Sequence, residues 1–499
     1  MSSEASQTNL NNLCSKTSAV EVLESDLDEQ SYEVRKIVDS GDPKNRIDVV
    51  IMGDGYTANE REKFFDDLAR LTRDMFEGVT FKSWLPLFNI WGIHVNSVDS
   101  GIGYDGPKNT PFKLYREKGQ LRGILPGDPK NARAKCKLTG INACDYPSIL
   151  ANDDFYGGLG GEFVISTRSE RTGTVVLRHE MGHNFVYVGE EYDNGWVYSG
   201  VNASPSLKKL KWEKWLSGPL REEREMFRLL EYPWHDLSKG PKSFNFTSDG
   251  KYSRWYLLTS VSAAGEADSL EFILDGKALP WESRGSDDRE FYDWRGSSGL
   301  SEGQHTFTVR SKTASTNKQI PRMIASVTLH EYGNEDEFNI SNDYISAYPT
   351  WDVYHNKTYR PTSEGCLMRN MTSQSFCKVC KEGLWRQFLK RISLIDDVEV
   401  KKGKATVSPI KLGQLRPADK QIPGEKLRIR WYKSSKLISK FNDKLTIPVS
   451  PGKWKVQVKL ISPEVRSDPK RFLTSTKHFK VKHRFSHIWI KIKSYIYPF

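Results

Sequence analysis

The sequence contains no run of about 18 apolar residues, so no membrane-spanning helix is expected. Its first residues, MSSEASQTNLNNLCSKTS, lack the basic-then-apolar pattern of a signal peptide. Cysteine is sparse, with six in 499 residues, which excludes a densely disulfide-stapled scaffold. Acidic residues are scarce in one place only. Residues 401–499 hold 25 Lys/Arg against 5 Asp/Glu, whereas the remainder holds 49 against 58. The net charge of +11 is therefore a property of the C-terminal fifth, and the first four hundred residues are mildly acidic. This asymmetry argues against nucleic acid as a partner of the whole chain and leaves an anionic surface or glycan as the candidate partner of the tail.

What is present is globular. Hydrophobic residues make up 37% and aromatics 12% of the chain, enough for several cores, and a single core rarely grows past about 250–300 residues. Residues 1–30 are Ser/Asn/Glu-rich and read as a disordered tail. Arg46–Met52 alternates into a buried strand. GDG then turns the chain, Thr57 and Glu60 form a capping box, and an amphipathic helix follows. Residues 87–99 and GEFVIST (161–167) read as further strands, an α/β order. The glycines of GIGYDG (101–106) match a dinucleotide fingerprint by letter, but PKNTPF after them cannot open a helix, so the segment reads as a loop. Short alternating runs between turn residues over 246–335 predict a small inserted β-sandwich. Residues 381–395 predict a closing helix, and 396–499 a basic β-rich module. FSHIWIKIKSYIYPF at the end reads as an edge strand.

Five sequons, at Asn202, Asn245, Asn339, Asn356 and Asn370, point to a secreted glycoprotein. Cys136 and Cys144 are close enough to staple one loop. Cys366, Cys377 and Cys380 form a second group with no obvious fourth metal ligand, so disulfides are expected there too.

The chemistry concentrates in LRHEMGHNFVYVGEEYDNG (177–195). Residues i and i+4 share a helix face, so His179 and His183 can aim imidazole nitrogens at one zinc ion, with Glu180 close to its open position. An H-E-x-x-H pattern arises by chance in a chain of this kind on the order of one time in a hundred. A third ligand requires the chain to turn back, with Gly189 as the residue able to do so. Glu191 is the favoured ligand, and Glu190 its competitor. Tyr192, Tyr354 and His355 are candidates for oxyanion stabilisation.

Several separated motifs, MGDGYTANE, PFKLYREKGQLRGILP, GGLGGEFVIS, HEMGHNFVYVGEEY and CLMRN with FCKVC, together resemble the IgA-specific metalloendopeptidase family of zinc peptidases over about residues 33–395. The resemblance implies a zincin catalytic domain, one zinc ion per chain and endopeptidase activity on protein or peptide substrates. It makes His179 and His183 ligands and Glu180 the catalytic residue, and takes an acidic residue of EEY as third ligand. Met368 then corresponds to the methionine turn under the metal in metzincins. Where those enzymes carry a glycine and a third histidine, this sequence has Val186 and Gly189. The resulting expectation is an α/β zincin-like catalytic domain (31–245 and 336–395), interrupted by the β-rich insert and followed by the β-rich module. GGEFVIST is expected to offer substrate an edge strand. The rival reading is a binding or adhesion protein whose β-modules do the work beside a non-catalytic metal site.

Overall fold

The computed structural model describes residues 31–117, 120–196 and 198–482. The polar N-terminal tail and the aromatic-basic C-terminal segment expected above lie outside these residues. Two compact units result. The first takes the residues up to Ile392 together with Glu464–Ser467, and the second takes Ser393–Pro463 and the residues from Asp468.

The first unit begins with a six-stranded sheet of strands β1 (Tyr32–Val38), β2 (Ile47–Asp54), β3 (Phe88–Val95), β4 (Tyr146–Ala151), β5 (Gly158–Leu159) and β6 (Val164–Thr167), in the order β1-β3-β2-β4-β6-β5. Strands β3, β2, β4 and β6 run parallel, and β1 and β5 close the sheet antiparallel. Every residue of β2 is buried, as a central parallel strand covered on both faces requires. β1 and β4 were not anticipated from the sequence. The expected edge at 161–167 is also corrected. Only Val164–Thr167 is strand, and Gly158–Leu159 pairs along its outer side, so that strand has no free edge to offer.

Helix α1 (Arg61–Glu77) starts after the expected capping box, in which the Thr57 N–H donates to Glu60. Its buried face carries Phe64, Phe65, Leu68, Leu71 and Met75 at helical spacing. Gly92 of β3 lets Leu68 and Phe65 come that close, since a Cβ there would lie 2.4 Å from Leu68 Cδ2. Helix α2 (Pro129–Cys136) ends in the expected disulfide, Cys136–Cys144. Helix α3 (Gly173–Phe185) carries the histidines, and helix α4 (Lys378–Arg391) follows the CLMRN turn.

Between α3 and α4 the chain builds a two-stranded sheet (Tyr348–Trp351 with Lys357–Arg360) and two larger antiparallel sheets. One joins Glu225–Glu231, Met323–Tyr332, Arg254–Val261 and Glu290–Gly296. The other joins Lys242–Asp249, Glu302–Ser311, Leu270–Leu274 and Lys277–Leu279. Their inner faces share one core, with Leu257, Ile324, Val327 and Leu329 from the first sheet and Phe244, Phe272, Phe307 and Val309 from the second. The sandwich takes in strands from Glu225 on, ahead of 246.

The second unit is β-rich. A three-stranded sheet (Ile395–Lys401, Lys404–Pro409, Thr446–Pro448) and a four-stranded one (Lys436–Leu437, Lys426–Lys433, Gly452–Ile461, Thr474–Val481) bury Val407, Ile429, Trp431, Val456 and Val458. Among the described residues no helix is long and apolar enough to cross a membrane.

Of the five sequons, Asn245 and Asn356 are exposed. Asn202 is fully buried and Asn370 buried, so the expectation of glycan at those two positions is corrected.

Candidate metal centre

Helix α3 starts tight against the sheet. A Cβ on Gly173 would lie 2.2 Å from the Thr167 carbonyl, so only glycine lets the helix begin there. The helix stops at Phe185, and Val186 is already extended, with φ −142° and ψ 152°. The turn back is therefore made by leaving the helix at Val186. Gly189, which sequence reasoning held responsible, has no positive φ.

The returning segment orients one histidine. The Val188 carbonyl lies 3.2 Å from His183 Nδ1, and the Leu367 carbonyl lies 3.2 Å from His179 Nδ1. With each Nδ1–H directed to a carbonyl, the Nε2 lone pair of each ring is left free, the tautomer a metal ligand needs. Both Nε2 atoms face Glu190, at 3.6 Å from His179 and 3.1 Å from His183. The ligand atoms of His179, His183 and Glu190 lie within 4.8 Å of one another.

Sequence reasoning favoured Glu191 for this place, and the structure turns Glu190 there instead. Consecutive residues of an extended chain point to opposite sides. Glu191 thus enters a separate buried pocket with Cys366, Cys377 and Cys380. Those three cysteines are free, which corrects the expected disulfides.

The charges in the three-residue pocket act strongly on one another. Burial alone would pull His179 down, but the Glu190 carboxylate more than offsets it and lifts the imidazole to about 9. Burial likewise works to raise Glu190, yet the two histidines hold it at about 2. Positive charge between these groups is stabilised strongly. His183 Nε2 and Glu190 Oε2 are buried without a hydrogen-bond partner, an expense for polar atoms that a cation would relieve. Two imidazoles and a carboxylate also form a common donor set for zinc, so these residues fit the ion.

The cleft above has a volume of about 340 Å³ and is lined by His179, Glu180, Tyr192, Tyr156 and Arg122, together with Tyr232, Trp234, Arg289 and His330 from the sandwich and the segment leading into it. Glu180 is packed against Gly160, where an added Cβ would lie 2.2 Å from Glu180 Oε2. Met368 is fully buried, and its sulfur is next to Gly182 on the underside of α3. Of the three oxyanion candidates only Tyr192 lines the cleft. Tyr354 is 73% exposed with its ring against Trp196, and His355 packs on Phe227.

Sequence reasoning missed the sandwich side of the cleft and the ionic network behind it. Arg369 binds Asp193 at 2.6 Å, His330 lies 3.4 Å from Asp193 and 3.0 Å from Glu225, and Arg360 binds Glu225 at 2.8 Å. Only the charged residues within an otherwise apolar run, such as His330 in MIASVTLHEY, gave a local signal.

Two imidazoles and a carboxylate around one point, with a second carboxylate in the same cleft, form the arrangement used for metal-assisted hydrolysis. The comparison with known families agrees with that class. The model described as IgA Peptidase M64 matches residues 35–219, in line with the resemblance that its motifs indicated. No curated protein matches the chain. Among solved structures, a ruminal GH26 endo-beta-1,4-mannanase is 13% identical, with 23% of this chain and 22% of that one covered and a TM-score of 0.16. A CBM35 from Cellvibrio japonicus Abf62 is 14% identical, with 22% and 91% covered and a TM-score of 0.15. Dimeric latent PorU from Porphyromonas gingivalis is 7% identical, with 28% and 14% covered and a TM-score of 0.18. At such scores these likenesses carry no argument.

Proposed function

We propose that the chain is a zinc-dependent endopeptidase with a zincin-type catalytic domain, acting on extended segments of protein substrates. The observation that carries this reading is the paired orientation of His179 and His183, each fixed through Nδ1 and facing Glu190, with Glu180 in the same cleft. His179, His183 and Glu190 would hold the ion. Zinc bound there supplies a polarised scissile carbonyl and a water whose pKa falls toward neutrality. Glu180 accepts the water's proton on its carboxylate and returns it to the leaving amine nitrogen, so the peptide bond breaks with the proton balance closed. Tyr192, beside Glu190, lines the wall where the carbonyl oxygen gains charge, and Met368 floors the site.

The catalytic domain starts at 31 and ends at 395, with the sandwich from Glu225 to Tyr332 as its insert and 396–499 as a basic module for an anionic surface or glycan. Secretion is supported by the Cys136–Cys144 disulfide, which persists in oxidising compartments, and by the exposed sequons at Asn245 and Asn356. The adhesion reading is not favoured, because an idle metal site has no physical need for a carboxylate at Glu180.

The test is hydrolysis of casein by Glu180→Gln and His183→Ala variants, with bound zinc measured in each. Glu180→Gln should lose activity and keep its full zinc content, and His183→Ala should lose activity together with the zinc ion held by the histidines. An active Glu180→Gln protein would refute the assigned role.

A further inference from the structure

The pocket that receives Glu191 is chemically unlike the histidine site, whose ligand Glu190 is the preceding residue. Glu191, Cys366 and Cys380 are at most 0% exposed and Cys377 is 6% exposed. Cys366 Sγ lies 3.8 Å from Cys380 Sγ, and Cys380 Sγ lies 3.7 Å from Glu191 Oε1. All four ligand atoms lie within 4.8 Å of one another. The sulfurs are too far apart for a disulfide, whose bond is about 2.05 Å, yet too close and too buried for chance surface thiols.

The spacing has a simple source. A tetrahedral zinc with Zn–S near 2.3 Å sets its sulfurs about 3.8 Å apart, and a carboxylate oxygen near 2.0 Å falls about 3.5 Å from each sulfur. The donors come from three segments, with Glu191 from the stretch after α3, Cys366 from the turn before α4, and Cys377 and Cys380 from the N-terminus of α4. Cys377 is the N-cap of α4, the end of a helix that favours negative charge. Asn202 donates to Glu191 Oε1 at 2.8 Å and to the Gly189 carbonyl at 2.9 Å, while Glu191 Oε2 is buried with no partner. Arg360, whose charge reaches the Glu191 carboxyl through space, is itself engaged by Glu225 and backbone carbonyls. Among the described residues the buried Glu191, facing three sulfurs, makes no direct ion pair.

We propose that Cys366, Cys377, Cys380 and Glu191 form a second, structural zinc site, bound as three thiolates and one carboxylate. Four protein ligands leave no open position, so this ion does no chemistry. Soft thiolates with one hard oxygen suit zinc better than copper(I). Binding releases the thiol protons, and the Glu191 proton where it is present, to solvent. The site ties together the segments that shape the histidine site. Cys366 anchors the turn whose Leu367 carbonyl faces His179, and fixing Glu191 fixes the direction of Glu190. That second consequence rests on the peptidase reading, but the metal site itself does not.

The experiment uses the full chain and zinc or cobalt(II) alone. Native protein should hold two zinc ions. His179→Ala/His183→Ala should hold one, and after cobalt exchange it should keep a near-ultraviolet thiolate-to-cobalt charge-transfer band. Cys377→Ser/Cys380→Ser should lose that band. Glu191→Ala should weaken retention of this ion by at least the ~10–100-fold that loss of an outer-shell partner costs, and Glu191→Cys should restore it. Should the cysteine variant fail to fold, the native chain decides by mass. Its three thiols should resist alkylation until a chelator is added, then react together. A disulfide among them in freshly isolated protein, or a double-histidine variant with no bound metal and no charge-transfer band, would overturn the proposal. Failure of the peptidase reading alone would leave the single zinc ion and the charge-transfer band of the double-histidine variant unchanged.

Discussion

Gly160 shows how narrow the tolerance is at the scale of one residue. Its missing side chain is the space in which the Glu180 carboxylate sits. Gly160→Ala should displace that carboxylate, and a shift near 1 Å can cost about 100-fold in rate. The loss should fall on kcat, with bound metal unchanged; a variant of native kcat would show that the Glu180 position is not critical. The histidines were legible in the sequence because i,i+4 geometry is local to one helix. The choice between Glu190 and Glu191 was not. In an extended chain, neighbouring side chains point opposite ways, and which of them turns inward depends on where α3 ends. The stretch after that end is held by Asn202 and by the Met368 carbonyl, which accepts from the Glu191 N–H.

Among the elements, the stretch from Val186 to Glu191 does the most positioning. It is held by Asn202, whose side chain bonds both the Gly189 N–H and carbonyl at 2.8 and 2.9 Å and also Glu191. Asn202→Ala should free this stretch and weaken metal binding about 10–100-fold, as loss of an outer-shell partner does. Competition with a chromogenic chelator measures it, and unchanged affinity would argue that the backbone alone fixes the segment. α1 and β2 were readable from capping and apolar pattern. β1 and β4 were not, since YEVRKIV and YPSILA carry little beyond short alternation and owe their strand state to the neighbours they pair with. Glu191 and the cysteines likewise lie some 175 residues apart in the chain, so no spacing rule could join them.

On the scale of the molecule, the cleft needs both the α/β sheet and the sandwich, joined through the network of Glu225, His330, Arg360, Arg369 and Asp193. Burial works to raise Glu225, but Arg360, His330 and Arg369 hold it at about 2. A folded pKa below the unfolded value stabilises the fold above pH ~4.5, and that contribution is lost as the pH falls toward 2. Glu225→Gln should therefore destabilise the protein at neutral pH by about 3–5 kcal/mol, the usual loss on breaking a buried pair. It should also flatten the acid dependence of thermal unfolding between pH 4.5 and 2. An unchanged profile would place the acid sensitivity elsewhere. The basic C-terminal module should retain the full chain on heparin until salt screens it, since the Debye length shrinks to about 3 Å at 1 M. Elution at low salt, like a neutral protein, would remove the anionic partner from the proposal.

One covalent link and three unlinked sulfurs in the same unit also set an order of maturation. Oxidants that join Cys136 to Cys144 can equally mispair the trio at 366, 377 and 380 while they are still uncovered. A chain ripening in an oxidising lumen must cap those sulfurs before or during oxidation. Its yield in such a host should therefore track the supply of the capping ion rather than the strength of the oxidant.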